Sequence, residues 1–106
     1  MISIKDFEKL EMKVGEIISA DDVPKADRIY KLEVDVGGRQ ITLIAGIKRD
    51  YEKDELIGKK IIVLTNLEPV MIKGIKSEGM LLAAIGKDKV SLVTIDRDIS
   101  VGSDVA

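Results

Sequence analysis

Tyr30-Lys-Leu-Glu-Val-Asp-Val-Gly-Gly-Arg-Gln-Ile-Thr-Leu-Ile44 is the stretch whose reading decides the fold. Tyr30, Leu32, Val34 and Val36 fall on one side of an extended chain, and Lys31, Glu33 and Asp35 on the other. That period of two is the pattern of a half-buried antiparallel strand. Gly37-Gly38 supplies the two positive-φ positions of a tight hairpin, and Ile41–Ile44 is the returning strand. Outward from this hairpin the same vocabulary recurs. Met12–Ala20 reads as a strand interrupted by Gly15, a residue that marks a bulge or a bend at a barrel corner. Lys60–Thr65, Met80–Ile85 and Val90–Ile95 read as further strands. Asp21–Asp27 and Gly86–Lys89 are turns. Ser3 and Asp6 fit a capping box for a short helix, Ile4–Leu10, whose Ile4, Phe7 and Leu10 share one stripe with Phe7 turned inward. Asp50–Ile57 reads as a second short helix, ended by Gly58. The tail, Asp96–Ala106, adds the apolar residues Ile99 and Val101.

The chain has 16 Ile, 10 Val and 3 Thr, a β-branched content that favours strands. Five or more short strands with glycine punctuation predict an all-β domain of residues 1–106: a small closed or nearly closed barrel with short N-terminal and internal helices. At 106 residues one core forms without staples. No run approaches the roughly 20 apolar residues of a membrane-spanning helix. No basic segment followed by a long apolar one opens the chain. A cytoplasmic protein with no membrane partner is expected.

Composition narrows the chemistry. There is no cysteine and no histidine, which removes thiolate chemistry, the usual general base and the commonest metal ligand. Ser19, Ser77 and Ser91 have no imidazole to activate them. The carboxylate pairs Asp21/Asp22 and Asp54/Glu55 are adjacent in turn or helix contexts, as solvated acids are. Gly37-Gly38 is followed by neither a phosphate-loop nor a dinucleotide fingerprint. The expectation is therefore a protein that is not an enzyme, with no cofactor and no metal.

A binding role fits better. The net charge is −2 and the isoelectric point about 5.2, acidic for a nucleic-acid-binding domain. The charge is unevenly spread, however. Arg39, Lys48 and Arg49 lie in one acid-free stretch and Lys73 and Lys76 in another. Phe7, Tyr30 and Tyr51 are the only aromatics, too few for a platform on which successive bases stack. A nucleic acid bound here is read through phosphates, sugars and one or two exposed bases, which favours folded RNA over an extended strand.

The connection Asn66-Leu-Glu-Pro-Val-Met-Ile-Lys-Gly-Ile-Lys-Ser-Glu-Gly-Met80 reads as a loop dense in polar and glycine signals between two core strands, the usual place for function on a β scaffold. Together with Asp6-Phe7, Val14-Gly15-Glu-Ile17, Pro24-x-Ala26-Asp27-Arg-Ile-Tyr-Lys-Leu32, Ala45-Gly46-Ile47 and Leu56-Ile-Gly-Lys59, its Asn66-Leu-x-Pro69 and Ser77-Glu-Gly-Met80 motifs resemble, in order, the OB-fold tRNA-binding domain family. That family includes the C-terminal domain of methionyl-tRNA synthetases and small free-standing tRNA-binding proteins. The resemblance covers nearly the whole chain. It implies a five-stranded Greek-key OB-fold barrel with a C-terminal extension, assembled as a homodimer. It also implies binding to the outer corner of tRNA with little sequence preference, beside an aminoacyl-tRNA synthetase.

Carried over, the family's RNA contacts fall on Asn66 (sugar or base edge), Lys73 (phosphate), Ser77 (phosphate oxygen) and Met80 (an unstacked base). Lys31, Arg39, Lys48 and Arg49 complete the expected basic surface. The plainer alternatives are that Asn66 caps the turn before Pro69, that Met80 belongs to the core and that Lys73 is an ordinary solvated lysine. In one respect the chain departs from the family. Val70 and Met71 stand where basic residues are common and Glu68 precedes the proline, which lowers phosphate affinity. The apolar Val70–Ile72 run points instead to burial against a partner. The alternative function is accordingly that of a CsaA-like chaperone or protein-interaction dimer.

Overall fold

A computed structural model describes residues 1–106. Strand β1 (Met12–Asp22) runs antiparallel to β2 (Tyr30–Asp35), to β4 (Lys60–Leu64) and, at its start, to β10 (Asp104–Val105). β3 (Gln40–Ala45) pairs with β2, and β7 (Met80–Leu81) with β4, giving the order β3-β2-β1-β4-β7. Two hairpins accompany this sheet: β5 (Val70–Ile72) with β6 (Ile75–Ser77), and β8 (Ala83–Ile85) with β9 (Val90–Leu92). The sheet curls into a nearly closed five-stranded antiparallel barrel of the OB type, as the sequence predicts.

The alternation of Tyr30–Val36 is realised residue by residue. Tyr30, Leu32, Val34 and Val36 are buried while Lys31, Glu33 and Asp35 are half-buried on the outer side. Ile17, Leu32, Val34, Ile41, Leu43, Ile61 and Val63 fill the barrel. Two tyrosines serve it with their polar ends: Tyr30 donates to the Tyr51 carbonyl at 2.8 Å, and the Tyr51 hydroxyl accepts from Leu92 N–H at 2.9 Å. Val14, Ile62 and Leu64 are buried outside this cluster. The C-terminal segment closes over that side, where Val14 exchanges backbone bonds with Gly102 and Ser103. The Gly37-Gly38 turn forms with φ of +91° and +85°.

Several expectations are corrected. Gly15 is not the bulge. A Cβ there would stand 2.8 Å from Val34 Cγ1 and 3.1 Å from Val63 Cγ2, so this glycine permits close packing. The register shift comes later, between Ile17 and Ser19, and leaves Ile18 exposed. The first helix, α1, spans only Ile4–Phe7; its capping box forms, but it buries no residue and Phe7 is only half-buried. One turn of helix is too short to lay a stripe on the barrel. The second, α2, spans Lys53–Leu56 and plugs the barrel with Leu56. Met80–Ile85 is not one strand. Leu82 N–H bonds the Ile62 carbonyl while the Leu82 carbonyl accepts from Val93, so the chain changes partners from β4 to β9 there. The strand expected over Val90–Ile95 accordingly stops at Leu92.

Candidate nucleic-acid interface

The connection between β4 and β7 is the expected functional loop, but it is ordered as a hairpin. Val70, Met71 and Ile72 pair with Ser77, Lys76 and Ile75. Lys73 and Gly74 form the two-residue tip, with φ of +52° and +80°, the signs a primed hairpin turn requires. Asn66 fixes the base of this arm. Its Oδ1 accepts from Glu11 N–H at 2.9 Å, and its Nδ2 donates to the Lys9 carbonyl at 2.7 Å. Both ends of the amide are thus engaged within the chain.

Farther along, the same connection closes the barrel. β3 has no strand beyond it in the main sheet, and Ser77-Glu78 fills that role with side chains. The Ser77 hydroxyl accepts from Ile44 N–H at 3.1 Å, and the Glu78 carboxylate accepts from Thr42 N–H at 2.7 Å. Glu78 N–H in turn reaches the Thr42 carbonyl at 2.8 Å. Thr42 Oγ1 donates to Glu33 at 2.8 Å, continuing the network onto β2. Gly79 is obligatory in this seam, because a Cβ would meet the Leu64 carbonyl at 2.7 Å. Ser77 is only 7% exposed. Sequence reasoning missed Glu78, which had no motif beyond its place between Ser77 and Gly79.

Above the seam the surface divides in two. A shallow, largely apolar groove of about 200 Å³ is lined by Ile44, Leu67, Val70, Ile72 and Met80, with Glu68, Ser77 and Gly79 completing it. Met80 opens β7 yet is 47% exposed, so it faces this groove and not the core. Val70 and Met71, expected to be buried by a partner, are 53% and 65% exposed within the chain. Ile72 also lines a second groove, of about 290 Å³, with Lys25, Asp27, Arg28, Ile29 and Lys73. Lys25, Arg28 and Lys73 take part in no ion pair.

The remaining expected cations are distributed unevenly. Lys48 N–H bonds the Arg28 carbonyl at 3.3 Å, which brings Lys48 and the exposed, unpaired Arg49 to the same end of the barrel as Arg28. The Lys48 ammonium is engaged with Asp22 at 3.0 Å and sits 6.0 Å from the centre of the Tyr30 ring. Asp22 also holds Lys53 at 2.7 Å. Hydrogen bonds from Lys53 and then Lys48 keep the Asp22 carboxyl below the usual carboxylate range, and the same contact raises Lys53. Lys31 lies on the outer face of β2, 4.0 Å from Glu33. Arg39 follows the Gly37-Gly38 turn at the other end of β2. Six strand residues separate the two ends, a distance of about 20 Å. The structure therefore sets Lys73 on the groove of Lys25 and Arg28, turns Lys48 to Asp22 in a separate cavity with Glu52, Lys53 and Asp54, and leaves Arg39 apart. Lys25 and Arg28 were missed, although the signal was in the chain: two bases in the turn between the first two strands, which on this fold lies at the binding end.

A five-stranded antiparallel barrel whose β1–β2 turn and β4–β7 arm converge on a cationic groove defines an OB-type binding module. The particular family follows from comparison. Residues 12–104 match the family model described as "Putative tRNA binding domain", and the chain belongs to that family. It is 48% identical to the methionine–tRNA ligase of Methanococcus vannielii over 99% of its own length and 16% of the ligase. It is likewise 48% identical to the methionine–tRNA ligase of Nanoarchaeum equitans, of which it covers 14%. The chain thus spans less than a fifth of the length of these relatives. Among solved structures, the MetRS-related protein of Pyrococcus horikoshii superposes with a TM-score of 0.93 at 34% identity, over 100% of this chain and 98% of that one. The CsaA chaperone protein of Picrophilus torridus does so with a TM-score of 0.92 at 37% identity, over 100% of both chains. No helix is long and apolar enough to cross a membrane.

Proposed function

We propose that this barrel acts in the cytoplasm as a non-catalytic module binding folded tRNA at its outer corner, with little sequence preference, and that it serves a methionyl-tRNA synthetase by raising the local concentration of tRNA. The observation that carries this reading is the meeting of Lys25, Arg28 and Lys73, none of them in an ion pair, on one groove in a chain of the tRNA-binding domain family. Lys73, Lys48 and Arg49 take phosphates, Met80 takes an apolar base contact, and Lys31 and Arg39 form the periphery. Asn66 and Ser77 act by holding the arm, since their polar atoms are already bonded within the chain.

Filter binding of unfractionated tRNA, repeated across a salt series, tests this. Retention that falls steeply with salt is expected. No retention at low salt with tens of micromolar protein overturns the reading.

A homodimer is part of the proposal. Ile2 and Ile4 are 73% and 72% exposed and Leu10 is 43% exposed, a run of apolar side chains that the barrel does not cover. Light scattering is expected to give twice the chain mass and Ile4→Asp to lower it; a monomeric mass at micromolar concentration refutes the dimer. A second reading, a CsaA-like chaperone, draws on the exposed Val70 and Met71 and on the likeness to the CsaA protein. Suppressed aggregation of a client protein, unchanged by added tRNA, favours it.

A further inference from the structure

We infer that the outer face of the β2–β3 hairpin decides which shape of RNA is accepted: its fixed carboxylates turn away an extended single strand and leave only the loop end of the barrel open, to a folded chain. This deepens the tRNA-binding reading and rests on it.

On a barrel of this type the face of the second and third strands, with the loops beside it, is where an oligonucleotide lies. The register shows what that face carries here. Lys31, Glu33 and Asp35 of β2 stand opposite Ile44, Thr42 and Gln40 of β3, on the outer side of both strands. None of the six is aromatic, so successive bases find nothing to stack on. The charges oppose a phosphodiester chain as well. Glu33 and Asp35 lie on β2, Glu78 borders β3 from the seam, and Lys31 is the one cation among them. Its ammonium is 4.0 Å from Glu33 and is partly neutralised there.

The carboxylates are also held in place. Thr42 Oγ1 donates to both oxygens of Glu33, at 2.8 and 3.1 Å, and Thr42 N–H donates to Glu78 at 2.7 Å. Gly37 N–H donates to Asp35 Oδ1 at 2.8 Å. An unbonded surface acid swings aside from an approaching phosphate, whereas these must first give up a hydrogen bond. Like charges set against each other across an interface suppress the wrong partner. At the loop end the sign reverses, with Lys25, Arg28 and Lys73 on one groove and in no ion pair. The corner of a folded RNA reaches that end without lying along the hairpin. A single strand long enough to gain affinity has to run over the carboxylates.

Fluorescence anisotropy with a short oligouridylate, which has little structure of its own, tests this beside filter binding of tRNA. Glu33→Gln with Asp35→Asn removes two charges and keeps both acceptor oxygens, so the variant is expected to melt like the parent. It is expected to bind the oligouridylate about tenfold more tightly than the parent at low salt, a gain that added salt abolishes, and to bind tRNA within about twofold of the parent. Glu8→Gln with Asp96→Asn changes the net charge equally at exposed positions off the hairpin and is expected to gain no more than about twofold on the oligouridylate. Glu33→Gln alone, with a gain of a few-fold, decides the matter if the double variant melts early. Parent-like oligouridylate binding by the folded hairpin variants, or an equal gain by the Glu8 and Asp96 variant, overturns the inference while tRNA binding by the parent stands. If the parent itself retains no tRNA, the underlying reading fails instead.

Discussion

The two halves of the β4–β7 connection make opposite use of similar residues. From Ser77 to Gly79, every distinctive group turns inward. The hydroxyl and the carboxylate bond the free edge of β3, and the glycine lets the chain pass where a Cβ would stand only 2.7 Å from the Leu64 carbonyl oxygen. From Val70 to Ile75 the chain is exposed except at the half-buried Ile72 and Ile75. Lys73 sits at a strained tip, and Val70 and Met71 are exposed. A polar, glycine-rich stretch is therefore not uniformly a contact loop. What separates the halves is whether each polar atom already has a partner, since a buried donor left without one is costly. The seam is part of the scaffold and the tip is part of the surface it presents.

The seam is where the largest effects are expected. Gly79→Ala forces a methyl into the Leu64 carbonyl, with Leu43 Cδ2 at 3.2 Å and Ile41 Cδ1 at 3.3 Å leaving no retreat. We expect a loss of about 2–3 kcal/mol in urea unfolding. A loss under half a kilocalorie would show that the seam is not tight. Ser77→Ala leaves Ile44 N–H without its partner and is expected to cost about 1–2 kcal/mol, a fall of several degrees in Tm. The protein that remains folded should bind tRNA like the parent. Weakened tRNA binding with an unchanged Tm would instead make Ser77 a contact residue and dissolve the distinction between the two halves.

Much of this was legible beforehand. The Tyr30–Val36 alternation, the Gly37-Gly38 turn and the places of the barrel strands along the chain follow from period and punctuation, because one face of each strand must be buried. The seam was not legible. Its bonds join residues 35 positions apart, such as Thr42 and Glu78, and no local pattern announces a carboxylate serving as a backbone partner. The β5–β6 hairpin could have been read from Val70–Ile72, Lys73-Gly74 and Ile75–Ser77. Lysine in place of the usual asparagine before the glycine hid it. Among site residues, Lys73 and Met80 stand on the surface where expected. Arg39 was grouped with Lys48 and Arg49 because sequence proximity does not reveal that a six-residue strand separates their ends.

Substitution at the tip is expected to separate stability from binding, with smaller effects than at the seam. Lys73→Asn places a residue suited to the left-handed region at φ +52° and should stabilise the fold by about 0.5–1 kcal/mol. The same change removes the charge proposed to take a phosphate, so tRNA affinity should fall several-fold and the salt slope by about one unit. Greater stability with undiminished tRNA binding would place Lys73 outside the interface.

The smallest effect is expected at the rim, where Asp22 holds Lys48, one of the cations proposed to take a phosphate. Its carboxylate holds Lys53 and Lys48 at 2.7 and 3.0 Å, and those hydrogen bonds lower its pKa from 3.8. A carboxyl depressed in the folded state contributes stability that is complete above its unfolded pKa and is lost as pH falls through the folded one. The contribution of Asp22 is therefore intact at neutral pH and disappears only in acid below 3.8. Asp22→Asn should leave neutral-pH stability nearly unchanged, because exposed pairs contribute little, and should remove part of the acid-dependent loss. It should also release Lys48 toward the groove end where Arg28 and Arg49 lie, raising tRNA affinity a few-fold at low salt and steepening its salt dependence. Unaltered affinity would show that Lys48 belongs with the scaffold half of the molecule, its charge spent on Asp22 as the Ser77 hydroxyl is spent on Ile44.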